Sequence, residues 1–103
     1  MKIFWTDFSK NELRNIFNYH KEIASLKIAR KLVTSITEEV LILQSQTEIG
    51  QREENIKDRE QDFRFILHKN YKVIYWHNIK KNRVEITDVF DTRQNPRKIK
   101  RTL

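Results

Sequence analysis

The sequence predicts an α+β fold of order β-α-α-β-β-β, and three observations carry that prediction. Apolar residues recur at helical spacing in two adjacent segments, Leu13 to His20 and Ala29 to Leu43. They alternate at strand period in Phe63–His68, Tyr71–His77 is rich in aromatic and β-branched residues, and Arg83–Phe90 reads as the last strand. The two kinds of pattern are segregated along the chain, which places a helical hairpin on one face of a small antiparallel sheet.

Lys2 to Thr6 reads as a short first strand, with Ile3 and Trp5 on one side and Phe4 on the other. Ser9 followed by Glu12 has capping-box spacing, and Phe8 and Leu13 flank it as a hydrophobic staple, so the first helix is predicted to start at Ser9. Its buried face is Leu13, Ile16, Phe17 and His20. Ser25 caps a second helix with the stripe Ala29, Leu32, Val33, Ile36, Val40 and Leu43. The break at Glu22–Ser25 is short enough to make the pair an antiparallel hairpin. Gly50, the single glycine, fits the end of this region.

Gln51 to Asp62 is polar except for Ile56 and has no core-facing stripe, so it reads as a solvated loop or a mobile polar helix extension. The next strand, Phe63–His68, meets Tyr71–His77 at the turn candidate Lys69-Asn70, where asparagine tolerates positive φ. Asn78–Asn82 is a polar loop, and Arg83–Phe90 is the last strand. Beyond Asp91 the chain is polar and basic, and Pro96 excludes a continuing central strand.

At 103 residues the chain reads as one domain, 1–103, with a basic tail at about 91–103. Its net charge of +7 is uneven: Phe63 to Leu103 holds eleven Lys/Arg and three Asp/Glu, Met1 to Asp62 ten and eleven. Such a distribution points to a polyanion or an acidic partner. There is no cysteine, which excludes disulfides and thiolate metal sites. No apolar run approaches the ~20 residues of a membrane span, and the N-terminus lacks a signal-peptide core. A soluble cytoplasmic protein without membrane contact is the expectation.

Several chemistries are disfavoured by residue type and spacing. His20, His68 and His77 lie on three elements without metal-ligand spacing, so no metal site is predicted. One glycine cannot build a phosphate-cradling loop, and no cofactor is implied. Ser9, Ser25, Ser35 and Ser45 fit helix starts or helix patterns better than nucleophilic triads. Glu53, Glu54, Asp58, Glu60 and Asp62 alternate with cations as a solvated mixed-charge segment. The strands offer more. Arg64, Ile66 and His68 share one face, Lys72, Ile74 and Trp76 another, and a hairpin can place the rows side by side. Such a surface could hold phosphate on Arg64 and Lys72 and stack a base on Trp76 or Tyr75. Metal-free RNA cleavage needs similar groups, with His68 or His77 carrying the proton. In the tail, Arg93, Arg97 and Lys98 are candidate electrostatic contacts.

These blocks resemble the RelE/ParE superfamily of bacterial toxin–antitoxin toxins. Phe4-Trp5-Thr6 before the Leu13/Ile16 helix is similar to its opening, and Ala29-x-x-Leu32-Val33-x-x-Ile36 to its second helix. Arg64 to Leu67 with Tyr71-Lys72-Val73-Ile74-Tyr75 resembles its hairpin, and Ile86-x-x-Val89-Phe90-Asp91-Thr92-Arg93-Gln94-Asn95-Pro96 the last strand and exit of ParE-like members. The resemblance implies a toxin of a type II plasmid-stabilisation module, held inactive by a cognate antitoxin. That antitoxin is usually an acidic, partly disordered segment wrapping helices and sheet. A homodimer or a toxin–antitoxin hetero-oligomer is the implied assembly. RelE-like members cut mRNA on the ribosome with basic sheet residues and a C-terminal Tyr or His, whereas ParE-like members bind and poison DNA gyrase. Here Lys72 falls at the position of the family's strand arginine and Arg93 near the basic residue after the last strand. Phe63 and Phe65 fall at or beside the RelE-type lysines, and no Tyr or His follows His77. The expectation is therefore a ParE-like gyrase inhibitor acting by binding, with Arg64, Lys72, Trp76, Arg93, Arg97 and Lys98 as target-binding residues. The alternatives are a RelE-like endoribonuclease, with Lys72, Arg93 and His68 catalytic, and a degenerate toxin that only binds antitoxin.

Overall fold

A computed structural model describes residues 1–101; the last two residues of the predicted domain and tail, 102–103, lie outside the described residues. Strand β1 (Lys2–Trp5) leads into helix α1 (Asp7–Ile23) and helix α2 (Leu26–Val40), which a 3₁₀ turn extends through Leu41–Gln44. A two-residue strand β2 (Gln51–Arg52) and a 3₁₀ turn (Glu54–Ile56) precede β3 (Arg64–His68), β4 (Tyr71–Asn78) and β5 (Arg83–Asp91). A final 3₁₀ segment spans Pro96–Arg101. The sheet order is β1-β5-β4-β3-β2. The predicted element order stands, with β2 added.

The sheet is mixed rather than purely antiparallel. β1 runs parallel to β5, with Ile3 opposite Val84 and Trp5 opposite Ile86. After the helical hairpin has crossed one face, β1 occupies the edge beside the last strand, a long-range pairing without local signature. The remaining pairs are antiparallel.

Helix α1 starts earlier than Ser9. Thr6 is its N-cap: its Oγ1 accepts from the Ser9 N–H at 3.2 Å and donates to the Ile86 carbonyl at 3.0 Å, so one hydroxyl caps the helix and ties it to β5. Ser9 donates back to the Thr6 carbonyl at 2.8 Å. Thr6 wins because it can do both, with Asp7 favourably placed in the first turn. Ser25 caps α2 as predicted, accepting from the Ile28 N–H at 3.1 Å.

Both sheet faces are covered. Ile16, Leu32, Ile36, Val40 and Leu43 pack on Tyr71, Val73, Tyr75, Val84, Ile86 and Val89. On the opposite face Ile56, Phe63, Ile74, Phe90 and Ile99 form a second core. The 51–62 segment is therefore not a solvated extension: Ile56 is fully buried and Glu53 is 1% exposed. The basic tail is anchored too, because Ile99 is buried and Arg101 pairs with Asp88 at 3.1 Å and Glu12 at 3.4 Å.

Gly50 owes its place to close approach rather than helix capping. Its N–H donates to the Tyr75 hydroxyl at 2.9 Å, and a Cβ there would lie 2.6 Å from the Phe65 carbonyl oxygen. At the β3–β4 turn the positive φ falls on Lys69, at 54°, instead of on Asn70.

Candidate functional site

The β3–β4 register decides what the predicted basic residues can do together. The two-residue turn pairs His68 with Tyr71, so even-numbered β3 residues face odd-numbered β4 residues: Arg64 opposes Tyr75 and Ile66 opposes Val73. Directly opposed residues project to the same face. Arg64, Ile66 and His68 thus lie on the helix side, while Lys72, Ile74 and Trp76 share the other side with Phe65 and Leu67. The expected side-by-side rows are on opposite faces of the sheet.

Lys72 is engaged by the segment that covers its face. Its Nζ donates to Glu53 Oε1 at 2.8 Å and sits 4.2 Å from the Phe65 ring centroid. Glu53 Oε2 accepts from the Asn55 N–H at 3.1 Å and Nδ2 at 2.7 Å. Burial pushes the Glu53 carboxyl up, but the hydrogen bonds from Lys72 and Asn55 outweigh it and hold it below the usual carboxylate value. Trp76 is half-buried edge-on to Phe63. Tyr75, the other stacking candidate, is buried and committed to Gly50, and burial raises its phenol.

His68 bridges the sheet to α2. Its Nε2 lies 2.9 Å from Ser35 Oγ, and its Nδ1 makes a short contact with the Glu39 carboxylate. Ser35 Oγ lies 2.8 Å from the Leu32 carbonyl as well, and its single proton serves one of the two contacts. The trio fastens the helical hairpin to the sheet, and His20 makes a second fastening through the Tyr71 hydroxyl at 2.9 Å. His77 opposes Val84 at the far end of β4, away from both.

Arg64 donates to Asp62 at 3.0 Å and to the Gly50 carbonyl at 3.0 Å, fixing β2 against β3. Arg93 clasps Asp91, with Nη2 at 2.8 Å from Oδ2, and its hydrogen bonds depress that carboxyl to about 2. Arg97 and Lys98 are exposed on the terminal 3₁₀ segment without an ion-pair partner among the described residues. Lys72, Arg93 and His68 are thus each held by a carboxylate, with Lys72 and His68 on different faces.

A groove of about 400 Å³ borders the helix-side core, lined by Trp5 and Leu13, which pack against that core, and by Phe17, Val33, Lys10, Arg14 and Thr37. Helical periodicity assigns Leu13, Phe17 and Val33 to the core, yet all three are only half-buried. The sequence signal was present, because the apolar stripe of α1 is wider than one sheet face can cover. An apolar trough with cationic edges suits an acidic amphipathic helix.

A protein-family model described as "ParE toxin of type II toxin-antitoxin system, parDE" matches residues 3–96. Among solved structures, a chain from the "Chromosomal ParDE TA system from P. aeruginosa" superposes with a TM-score of 0.74 at 18% identity, covering 88% of this chain and 95% of that one. At that identity the likeness speaks for the fold. No curated protein matches the sequence.

Proposed function

This chain belongs to the family of ParE toxins of type II toxin–antitoxin systems, and from that premise we propose that it acts by binding, with DNA gyrase as its target and no chemistry of its own. It is the toxin component of such a module, whose other component is an antitoxin. The observation that carries the binding reading is the state of Lys72: it is neutralised by buried Glu53, on the face opposite His68. Cleavage of RNA requires cations and a proton carrier converging on one phosphate, and the endoribonuclease alternative lacks that convergence. In this reading the antitoxin lays an acidic amphipathic helix into the Trp5–Leu13–Phe17–Val33 groove, its carboxylates meeting Lys10 and Arg14. The toxin acts in the cytoplasm, where gyrase works.

Induced expression tests the proposal. Plasmid isolated from arrested cells is expected to lose negative supercoils while messenger RNA stays full length, and co-expressed antitoxin restores both growth and supercoiling. Fragmented messages with normally supercoiled plasmid would overturn it.

A further inference from the structure

We propose that the solvent face of the first half of α2, with the adjoining β3–β4 turn, binds the phosphate backbone of double-stranded DNA. The sequence concentrates net positive charge in its second half, yet folding neutralises much of it: Arg64, Lys72, Arg83, Arg93 and Arg101 are each paired with a carboxylate. On α2 the opposite holds. Lys27, Arg30 and Lys31 are exposed, and among the described residues their side chains have no ion-pair or hydrogen-bond partner; the same is true of Lys69.

These cations line one continuous surface. An open cleft of about 660 Å³ runs along Lys27, Arg30, Lys31 and Thr34, with Glu38 closing its far end. A second, of about 510 Å³, continues from Lys31 and Ser35 to Lys69 and Asn70.

Two independent features mark the charge as kept against local stability. α2 has no acidic residue in its first turn and no basic residue in its last, while its cations fill the first two turns and Glu38 and Glu39 follow. That is the reverse of what the helix dipole favours. Lys69 adopts φ 54°, a left-handed conformation that glycine or asparagine takes more easily. Residues held at local cost point to a use outside the fold.

The partner follows from the chemistry of the surface. Four free cations with the Thr34 hydroxyl beside them fit a row of phosphates. Among the described residues no exposed Phe, Tyr or Trp ring lines the two clefts, since Tyr71 is buried, so a single strand gains little stacking there. The exposed apolar side chains at these two clefts are Leu26 and Ile28, set among four free cations, so charge dominates what the surface offers a partner.

Fluorescence anisotropy of a labelled duplex of arbitrary sequence, titrated with the full chain, tests the inference. Four phosphate contacts give a slope of log affinity against log salt of about −3.6, so binding weakens about 10²-fold between about 50 and about 200 mM salt. Combining Lys27→Gln, Arg30→Gln, Lys31→Gln and Lys69→Gln is expected to lower affinity about 30-fold or more and to flatten that slope. A control of equal charge, Lys2→Gln, Lys57→Gln, Lys80→Gln and Lys81→Gln, is expected to stay within about threefold of wild type. The first variant should also melt no lower than wild type, since its changes relieve the unfavourable charges on α2. Failure of the wild type to bind duplex would overturn the inference, as would equal losses in both variants. So would a melting point depressed only in the first, or tighter binding of single-stranded RNA or an acidic peptide at the same residues.

Discussion

Replacing Glu53 with glutamine removes the charge that holds Lys72 while keeping the shape of the side chain. Glu53 is 1% exposed and accepts three hydrogen bonds, one from the Lys72 ammonium and two from Asn55. Glutamine keeps one acceptor oxygen, so either Lys72 or Asn55 faces an amide donor. Losing a hydrogen bond to a charged group costs about 1.5–3 kcal/mol, and breaking a buried pair outright about 3–5 kcal/mol. Because Lys72 retains 20% side-chain exposure and its contact with Phe65, the lower range applies: about 2–3 kcal/mol for Glu53→Gln. Urea denaturation at pH 7 reads this directly, and thermal melting should fall by about 8–24 °C at about 4–8 °C per kcal/mol. The pH dependence supplies the sign. The Glu53 carboxyl is held below its ordinary value of 4.5, so its contribution is present above that value and is lost as pH falls through the lower folded value. The gap between wild type and Glu53→Gln should therefore close on acidification below about pH 4.5. Joint replacement by Glu53→Leu and Lys72→Met should recover most of the loss, because no charge is then left unpaired. A cost under about 1 kcal/mol at pH 7, or a gap that persists unchanged to about pH 2, would refute the reasoning.

Gly50→Ala drives a methyl group against the Phe65 carbonyl and the Tyr75 ring, and is expected to cost about 2–4 kcal/mol in urea denaturation from overpacking and the weakened Gly50–Tyr75 hydrogen bond. Lys69→Gly removes the left-handed strain at the β3–β4 turn and should raise stability by about 0.5–1 kcal/mol after the entropy cost of glycine, measured by the same unfolding curve. Phe17→Glu places a carboxylate in the apolar groove and should weaken antitoxin binding by about 2 kcal/mol, roughly 30-fold in Kd by calorimetry, with helical content unchanged.

The sequence disclosed whatever was local. Ser25 and the stripe Ala29, Leu32, Ile36, Val40 and Leu43 are read within one short stretch and stand in the fold, while Val33 of the same stripe is only half-buried. Locality also explains the misplaced first cap: Ser9 with Glu12 is a sound pattern, but Thr6 reaches both the Ser9 N–H and the Ile86 carbonyl, and the second bond belongs to a distant strand. The pairing of β1 with β5 was invisible for the same reason. Gln51–Asp62 looked solvated because Ile56 is its one apolar residue before Phe63; its burial depends on Ile99 from the other end of the chain. For the candidate site, residue types were legible and their faces were not. Whether Arg64 and Lys72 meet turns on the parity of the β3–β4 turn, since pairing His68 with Tyr71 sends the two basic rows apart. Free charge was equally hidden, because a charge total does not tell ion-paired Lys72 from unpartnered Lys31.

Supercoiling of relaxed plasmid by purified gyrase, titrated with this chain and run beside a translation-coupled mRNA cleavage reaction, tests the central claim most directly. The account predicts that supercoiling stops at near-stoichiometric toxin, that antitoxin added beforehand prevents this, and that the message remains intact. Message cleavage abolished by Lys72→Ala or Arg93→Ala, with supercoiling untouched, would contradict it.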